Sequence, residues 1–133
     1  MNPEIQSLTE ACAKASLEGT LNFGQIVGQL VSAGVESYHA DYRRSETTYY
    51  MPDGSSHSVA MGAHTEEVGL SFDKEEVQQC IRGAQRGEVK YPEFVARTTK
   101  AGCVGYVVWI AGRHVQYFGR HGEVHVEHFP SAP

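Results

Sequence analysis

The side chains most able to do chemistry are concentrated near the C-terminus, in the run from His121 to His128. If this run is a strand, alternate residues share a face, so Glu123, His125 and Glu127 point the same way. Carboxylates and neutral imidazoles are zinc ligands, yet the run lacks the HExxH and paired CxxC spacings of established zinc sites. We therefore expect cross-strand Glu–His pairs on a solvent-facing strand, with no metal and no cofactor.

Two further histidines extend this hypothesis. His114, on the neighbouring predicted strand, could join the run in a ligand site if the strand register permits. His57 matches His125 in the internal repeat described below, and a pseudo-two-fold axis could bring the two into one pocket. We favour the alternative, in which both lie at the same strand position on the outer face. The candidate ligand-binding residues are His57, His114, Glu123, His125 and Glu127.

Nucleophilic catalysis has less support in the sequence. Cys103 would need a base and an orienting group, and His114 and Asp41 have no local signature that ties them to it. Cys12 and Cys80 fall on apolar helix faces, where cysteine behaves as a small hydrophobic residue. The chain also has no serine elbow of the G-x-S-x-G type and no glycine-rich phosphate loop. These observations weigh against an enzyme.

Arginines and aromatic residues recur at the predicted hairpins. Arginine beside exposed tyrosine is the composition of a protein-interaction hot spot. A single-strand nucleic-acid platform has a similar composition, but it requires a basic surface. The candidate interaction patch comprises Arg43, Arg44, Tyr49, Arg113, Tyr117 and Arg120.

Composition excludes several classes of protein. The 133 residues carry 11 Lys and Arg against 16 Asp and Glu, a net charge of −5, which disfavours binding to nucleic acid or to an anionic membrane. No apolar run approaches the roughly 18 residues that a membrane span needs. The N-terminus lacks the features of a signal peptide, and the three cysteines are few and far apart. We expect a cytoplasmic protein with reduced thiols.

The chain resembles itself at an offset of 68 residues. Residues 5–59 align with 73–127 without a gap, and nine of the 55 pairs are identical. Three of these pairs are glycines at predicted element ends. We predict an internal duplication joined by a connector over 60–72, within a single domain over 1–133.

Each half is predicted to fold as two helices followed by three strands. Apolar residues at helical spacing end at Gly19 and Gly34 in the first half, and at Gly87 and Gly102 in the second. β-rich segments follow at 35–43, 47–51 and 56–61, and again at 103–111, 114–118 and 124–129. The alternation in the connector is compatible with one more short strand. The predicted class is α+β, with two pseudo-repeated α-α-β-β-β units sharing one mostly antiparallel sheet of about six strands.

The chain contains the motifs Phe23-x-x-Ile26-Val27, Ala33-Gly34-Val35, Thr48-Tyr49-Tyr50 and Asp53-Gly54, then Tyr91-Pro92-Glu93-Phe94-Val95, Val115-x-Tyr117-Phe118-Gly119 and His125-Val126-Glu127-His128-Phe129-Pro130. Together these motifs resemble the YbcV-like bacterial and phage family, which often carries the label "phage envelope protein". The resemblance covers roughly residues 5–130 and implies a single soluble domain of bacterial or prophage origin. It implies no activity and no catalytic or binding residues.

Two functions from different classes therefore remain. The first is a non-enzymatic module that acts through protein contacts, with another protein or with a second copy of itself, because exposed sheet edges invite pairing. The second is a small-molecule or metal-binding protein, or a weak hydrolase, that uses the His/Glu strand. The second function requires that His114, Glu123, His125 and Glu127 converge on one concave site.

Overall fold

The computed structural model of the chain describes residues 1–62 and 66–129. Four helices and six strands follow one another in the predicted order, helix-helix-strand-strand-strand, twice. The helices are α1 (Pro3–Glu18), α2 (Phe23–Ser32), α3 (Lys74–Gln85) and α4 (Tyr91–Lys100). The strands are β1 (Ser37–Asp41), β2 (Glu46–Tyr50), β3 (Ser56–Ala60), β4 (Cys103–Trp109), β5 (His114–Gly119) and β6 (Val124–His128).

The six strands form one antiparallel sheet in the order β3-β2-β1-β4-β5-β6. Each half contributes a three-stranded meander, and the two meanders meet where β1 pairs with β4. The sheet is therefore continuous across the halves. The α+β class with helices packed on a six-stranded antiparallel sheet is confirmed, whereas the internal duplication stays a prediction.

Local chemistry accounts for the helix ends. The Asn2 side chain accepts a hydrogen bond from the Ile5 amide at the start of α1, and Gly19 ends that helix with a φ of 71°. Asn22 and Gln25 form a reciprocal capping box at the start of α2. The side chain of Asp73 caps α3 by accepting from the Glu76 amide.

The core lies between the helices and one face of the sheet, and tyrosines fill much of it. Tyr106 packs against Tyr117 with ring centroids 5.4 Å apart, and Phe94 of α4 lies edge-on to Tyr106. Two pairs of hydroxyls in this core are hydrogen-bonded: Tyr91 bonds Tyr106 at 2.8 Å, and Tyr42 bonds Thr98 at 3.0 Å. Such pairing is what a buried phenol requires.

The second face of the sheet carries no helix in the described part of the chain. The helices reach the sheet through core-facing side chains such as Tyr42, Tyr106 and Glu127. On the other face the side chains of Tyr50, Trp109, Val124 and Val126 are exposed. The molecule is thus a two-layer sandwich with one bare sheet face.

The connector contains no strand over its described residues 66–72. Instead it packs against the C-terminal end of α4, where the Gly69 amide donates to Thr99 and the Asp73 amide donates to Ala101. A Cβ added at Gly69 would lie 2.1 Å from the Lys100 carbonyl oxygen, so the close approach requires glycine. The rest of the connector, 63–65, and the predicted strand stop at Pro130 lie outside the described residues.

Candidate functional site

The side chains of His125 and Glu127 meet on the helix-covered face of β6. The Nε2 atom of His125 lies 2.8 Å from Oε2 of Glu127, and the other carboxylate oxygen accepts from Arg82 of α3. His125 and Glu127 are 7% and 13% exposed as side chains. A charged group this well buried is tolerated because it is both paired and hydrogen-bonded. The pair therefore does not lie on a solvent-facing strand as the sequence predicted.

Tyr117 of β5 lies beside this group, with its ring centroid 6.3 Å from that of His125. Burial raises the pKa of the Tyr117 phenol well above its usual range, and the nearby Cys103 and Glu127 raise it further. The phenol is therefore a neutral, buried group at ordinary pH. It supports the histidine ring by packing.

The other predicted ligand residues do not join His125 and Glu127. Glu123 precedes β6, and its carboxylate turns back to accept from the His121 amide at 2.9 Å. His114 points to the opposite face of the sheet, where its ring lies 6.0 Å from that of His128. The four side chains therefore do not converge. No group of three or more His, Cys, Asp or Glu side chains that could hold a metal ion occurs in residues 1–62 and 66–129.

His57 lies at the far edge of the sheet from His125. The strand order places five inter-strand spacings between them, or roughly 24 Å at about 4.8 Å per spacing. His57 is on the helix-covered face and bonds Glu10 of α1 at 3.0 Å. The two histidines do share an equivalent strand position, but they do not meet near an axis.

The six residues of the predicted interaction patch do not form one surface. Tyr49 and Tyr117 are 3% and 7% exposed, so both belong to the core. The arginines are exposed, but the β1–β2 and β5–β6 turns lie at one end of the sheet and the β4–β5 turn lies at the other. Arg44 is paired with Glu46, and Arg113 stacks on the Phe129 ring. Alternation along β2 and β5 turns the two tyrosines of the predicted patch toward the core, away from the exposed arginines.

All three cysteines are buried free thiols. Burial raises the pKa of the Cys103 thiol to about 11 and, together with the Glu76 carboxylate, that of Cys80 to about 12. Such thiols carry little of the reactive thiolate. The structure agrees with the predicted structural role.

A cleft of about 590 Å³ opens between α3 and α4. Three arginines line it, and each is paired with a carboxylate: Arg82 with Glu127, Arg86 with Glu88, and Arg97 with both Glu76 and Glu93. Ion pairing consumes the positive charge, so the cleft has no excess charge to attract an anion. The lining residues are Gln78, Gln79, Arg82, Gly83, Arg86, Glu88, Val89 and Arg97.

A row of apolar side chains covers the second half of the bare sheet face. Cross-strand register aligns them, since Val107 and Val126 flank Gln116, and Phe118 lies opposite Val124. Three members are exposed by 41–44%. We call this surface the apolar strip; it comprises Val107, Trp109, Phe118, Val124 and Val126. The sequence contains a signal for this surface, because β4 is apolar on both faces and Val124 and Val126 alternate with His125 and Glu127 along β6.

The outer edge of β6 is the second open feature of this half. Gly119 donates to Glu123, and Phe129 donates to Arg113, which fixes the hydrogen-bonded pairs between β5 and β6. Because these pairs alternate, the amides and carbonyls of Val124, Val126 and His128 point away from β5. None of them bonds to the backbone of another described residue.

Comparison with known proteins identifies a family without an assigned activity. Residues 11–128 match the family described as "Protein of unknown function (DUF1398)", and the chain belongs to that family. An uncharacterised protein of Mycobacterium bovis and two of Mycobacterium tuberculosis are each 34% identical to it over 59 residues. That match covers 44% of this chain but 36% of each relative, so the chain matches about a third of their length.

The described residues contain four helices, α1 to α4. None of them is both long enough and apolar enough to cross a bilayer.

Proposed function

We propose that this member of the DUF1398 family is a non-enzymatic protein-interaction domain, and that the apolar strip is the surface that binds. The observation that carries the proposal is the bare sheet face, on which Trp109 of β4 and both Val124 and Val126 of β6 are exposed. Exposed large apolar side chains gathered on one face of a folded domain are typical of a protein interface. Trp109 is the kind of residue that dominates binding energy at such an interface.

The strip is confined to one half of the bare face, which supports a defined binding surface. In the first half the corresponding face presents Thr48, Ser58 and other polar side chains, and the Thr48 and Ser58 hydroxyls bond each other at 2.8 Å. A random scatter of exposed apolar residues would not separate in this way. The Trp109 indole also donates to Gln116 at 2.7 Å, which holds the ring against the sheet and lowers the entropy cost of binding.

The alternative, a ligand site or weak hydrolase on the His/Glu strand, has less support. It requires four convergent side chains, and only His125 and Glu127 are in contact. A thermal unfolding series with excess zinc, chelator and a metabolite panel tests it. A ligand at 100 times its Kd would stabilise the fold by about 2.7 kcal/mol, and a chelator-reversible shift of that size would favour the alternative.

We propose in addition that the protein acts in the bacterial cytoplasm. The mycobacterial relatives support a bacterial role, and the three unpaired cysteines support a reducing, cytoplasmic location. Relation to YbcV-like prophage proteins remains an expectation from the sequence motifs. Partners are proteins, including a second copy of the chain, and the net charge of −5 argues against nucleic acid.

Site-specific photo-crosslinking tests the proposed function. A photoreactive phenylalanine analogue replaces Trp109 in one variant and Tyr50 in the other, since Tyr50 is an aromatic residue of similar exposure on the polar half of the same face. We expect a discrete protein adduct in bacterial cells from position 109 and none from position 50. Equal adducts from both positions, or none from position 109, would contradict a role for the apolar strip.

A further inference from the structure

We propose that a second copy of this chain pairs along the outer edge of β6, so that two sheets join into one across a two-fold axis. The inference rests on the proposed function, because it names a partner for the same half of the sheet. It differs from binding by the apolar strip in its contacts, which are backbone hydrogen bonds at the edge.

The backbone of β6 is prepared for another strand. Val124, Val126 and His128 direct their amides and carbonyls outward, without a partner among the described residues. The strand contains no proline and no lysine, which are the residues that commonly block edge pairing. An antiparallel strand centred on Val126 would pair Val124 with His128 of the partner subunit, and Val126 with itself. Each of the three residue pairs then exchanges two hydrogen bonds.

Side-chain charge selects this register over its neighbours. On the helix-covered face it sets His125 opposite Glu127 of the partner subunit, and the reverse, at Cβ separations of about 4.5–5.5 Å. Shifting the axis by one residue sets His125 opposite itself or Glu127 opposite itself. Like groups directly opposite each other are destabilising. The two-fold register centred on Val126 therefore satisfies both the backbone and the charges.

The outer edge of β3 lacks these features, although its backbone is also open. Its outward residues are Ser56, Ser58 and Ala60. The same kind of pairing centred on Ser58 would set His57 opposite Val59, with no opposite charge to meet it. We therefore assign self-pairing to β6 alone.

Edge pairing would also change the apolar strip. On the bare face Val126 would lie directly beside Val126 of the partner subunit, so the two strips would join into one continuous apolar surface. The face remains uncovered and open to a further protein. Edge pairing and strip binding are thus compatible and can be tested separately.

Cysteine crosslinking at the axis tests the pairing. Residues opposite each other in a hydrogen-bonded pair have Cα atoms about 5.5 Å apart, within the range that a disulfide spans. Under mild oxidation we expect Val126→Cys to form a reducible covalent dimer. Ser58→Cys, at the equivalent position of β3, is the matched control and should stay monomeric. The native cysteines are buried and should not interfere. Equal crosslinking of the two variants would overturn the proposal.

Proline substitution gives a second measurement that needs no oxidation. At position 126 the amide points outward, so Val126→Pro removes an edge donor and leaves the β5–β6 hydrogen bonds in place. Light scattering should show dimerisation weakened at least tenfold by Val126→Pro and within twofold of wild type for Ser58→Pro, with circular dichroism confirming that both fold.

The outcomes separate this inference from the proposed function. A wild-type dimer that Val126→Pro leaves intact would overturn edge pairing, while photo-adducts at position 109 would keep the proposed function. A wild-type chain that is monomeric at high micromolar concentration would overturn edge pairing as well. Loss of a heterologous partner on Val126→Pro, without crosslinking of Val126→Cys, would mean that a different protein pairs with the edge and would also overturn it.

Discussion

The two halves of the molecule share one frame and differ in their surfaces. Residues with a positive φ angle, in the left-handed region, recur in the two halves at the offset of 68 residues that aligns their sequences. Two of these pairs are Gly19 with Gly87, at 71° and 75°, and Gly34 with Gly102, at 85° and 92°. Even the two non-glycine residues with positive φ, Ser45 and Arg113, are 68 residues apart. The turns that set the topology are therefore alike in both halves.

Surface chemistry is where the halves diverge. Each half has a cleft between its helices, of about 610 Å³ in the first and 590 Å³ in the second. Leu8 and Gln29 line the first cleft, and the equivalent positions in α3 and α4 are the ion-paired Glu76 and Arg97. The first half exposes polar residues on its bare face, and the second exposes the apolar strip. This difference in surface is the reason that we place the proposed binding surface in the second half.

The His125–Glu127 pair and the equivalently placed His57–Glu10 pair differ strongly in burial, and this difference gives the largest expected effect. Glu127 is 13% exposed and holds both His125 and Arg82, whereas Glu10 is 58% exposed and holds His57 alone. Glu127→Ala removes the carboxylate that the buried His125 ring and the half-buried Arg82 share, and should cost about 2–3 kcal/mol of unfolding free energy. Glu10→Ala should cost less than about 1 kcal/mol. Urea unfolding of both variants measures the difference, and equal costs would remove the contrast.

Exchanging a small residue between the halves gives the next effect. Gly83 of α3 corresponds to Ala15 of α1, so Gly83→Ala copies the first half into the second. The added Cβ would lie 2.5 Å from Cγ2 of Val89, which must shift. Overpacking of this kind should cost about 1–2 kcal/mol, measured as a lower midpoint in urea. A neutral or stabilising result would mean that the loop after α3 adapts freely.

The opposite exchange should stabilise the protein. Gly28 of α2 corresponds to Ala96 of α4, and a Cβ at position 28 meets nothing within 4 Å. Gly28→Ala should add about 0.5–1 kcal/mol, because alanine loses less backbone entropy than glycine in a helix interior. Thermal unfolding checks the sign. A lower melting temperature would show that the cleft of the first half requires the glycine.

The equivalent cysteines predict a small difference in alkaline stability. Burial raises the pKa of both Cys12 and Cys80, and the carboxylate of Glu76 raises that of Cys80 further, to about 12. Because the folded state holds the thiol proton more tightly than the unfolded state does, this group stabilises the fold fully below pH 9.0, the pKa of an unfolded thiol. That stabilisation is lost as the pH rises toward the folded-state pKa of about 12. Cys80→Ala should therefore flatten the fall in stability above pH 9 more than Cys12→Ala does. Identical alkaline profiles would contradict a special environment for Cys80.

The fold was largely predictable because its signals are local. Asn22 and Gly19 mark helix ends by their own conformational preferences, and alternation marks the strands. The candidate site was less predictable. The strand order and the packing of the helices decide which sheet face is covered and which side chains meet. His125 and Glu127 share a face as expected, but the sequence did not reveal that α3 covers that face. His57 and His125 were separated by a strand order that no local signal specifies.

The most direct measurement is amide hydrogen exchange, followed residue by residue by NMR at low and at high protein concentration. The account predicts that the outward amides of Val124, Val126 and His128 exchange quickly when dilute and become protected as the chain is concentrated. The amides of Ser56, Ser58 and Ala60, on the matching edge of β3, should exchange quickly at both concentrations. Protection that appears on β3, or that never appears on β6, would contradict the claim that the second half carries the interface.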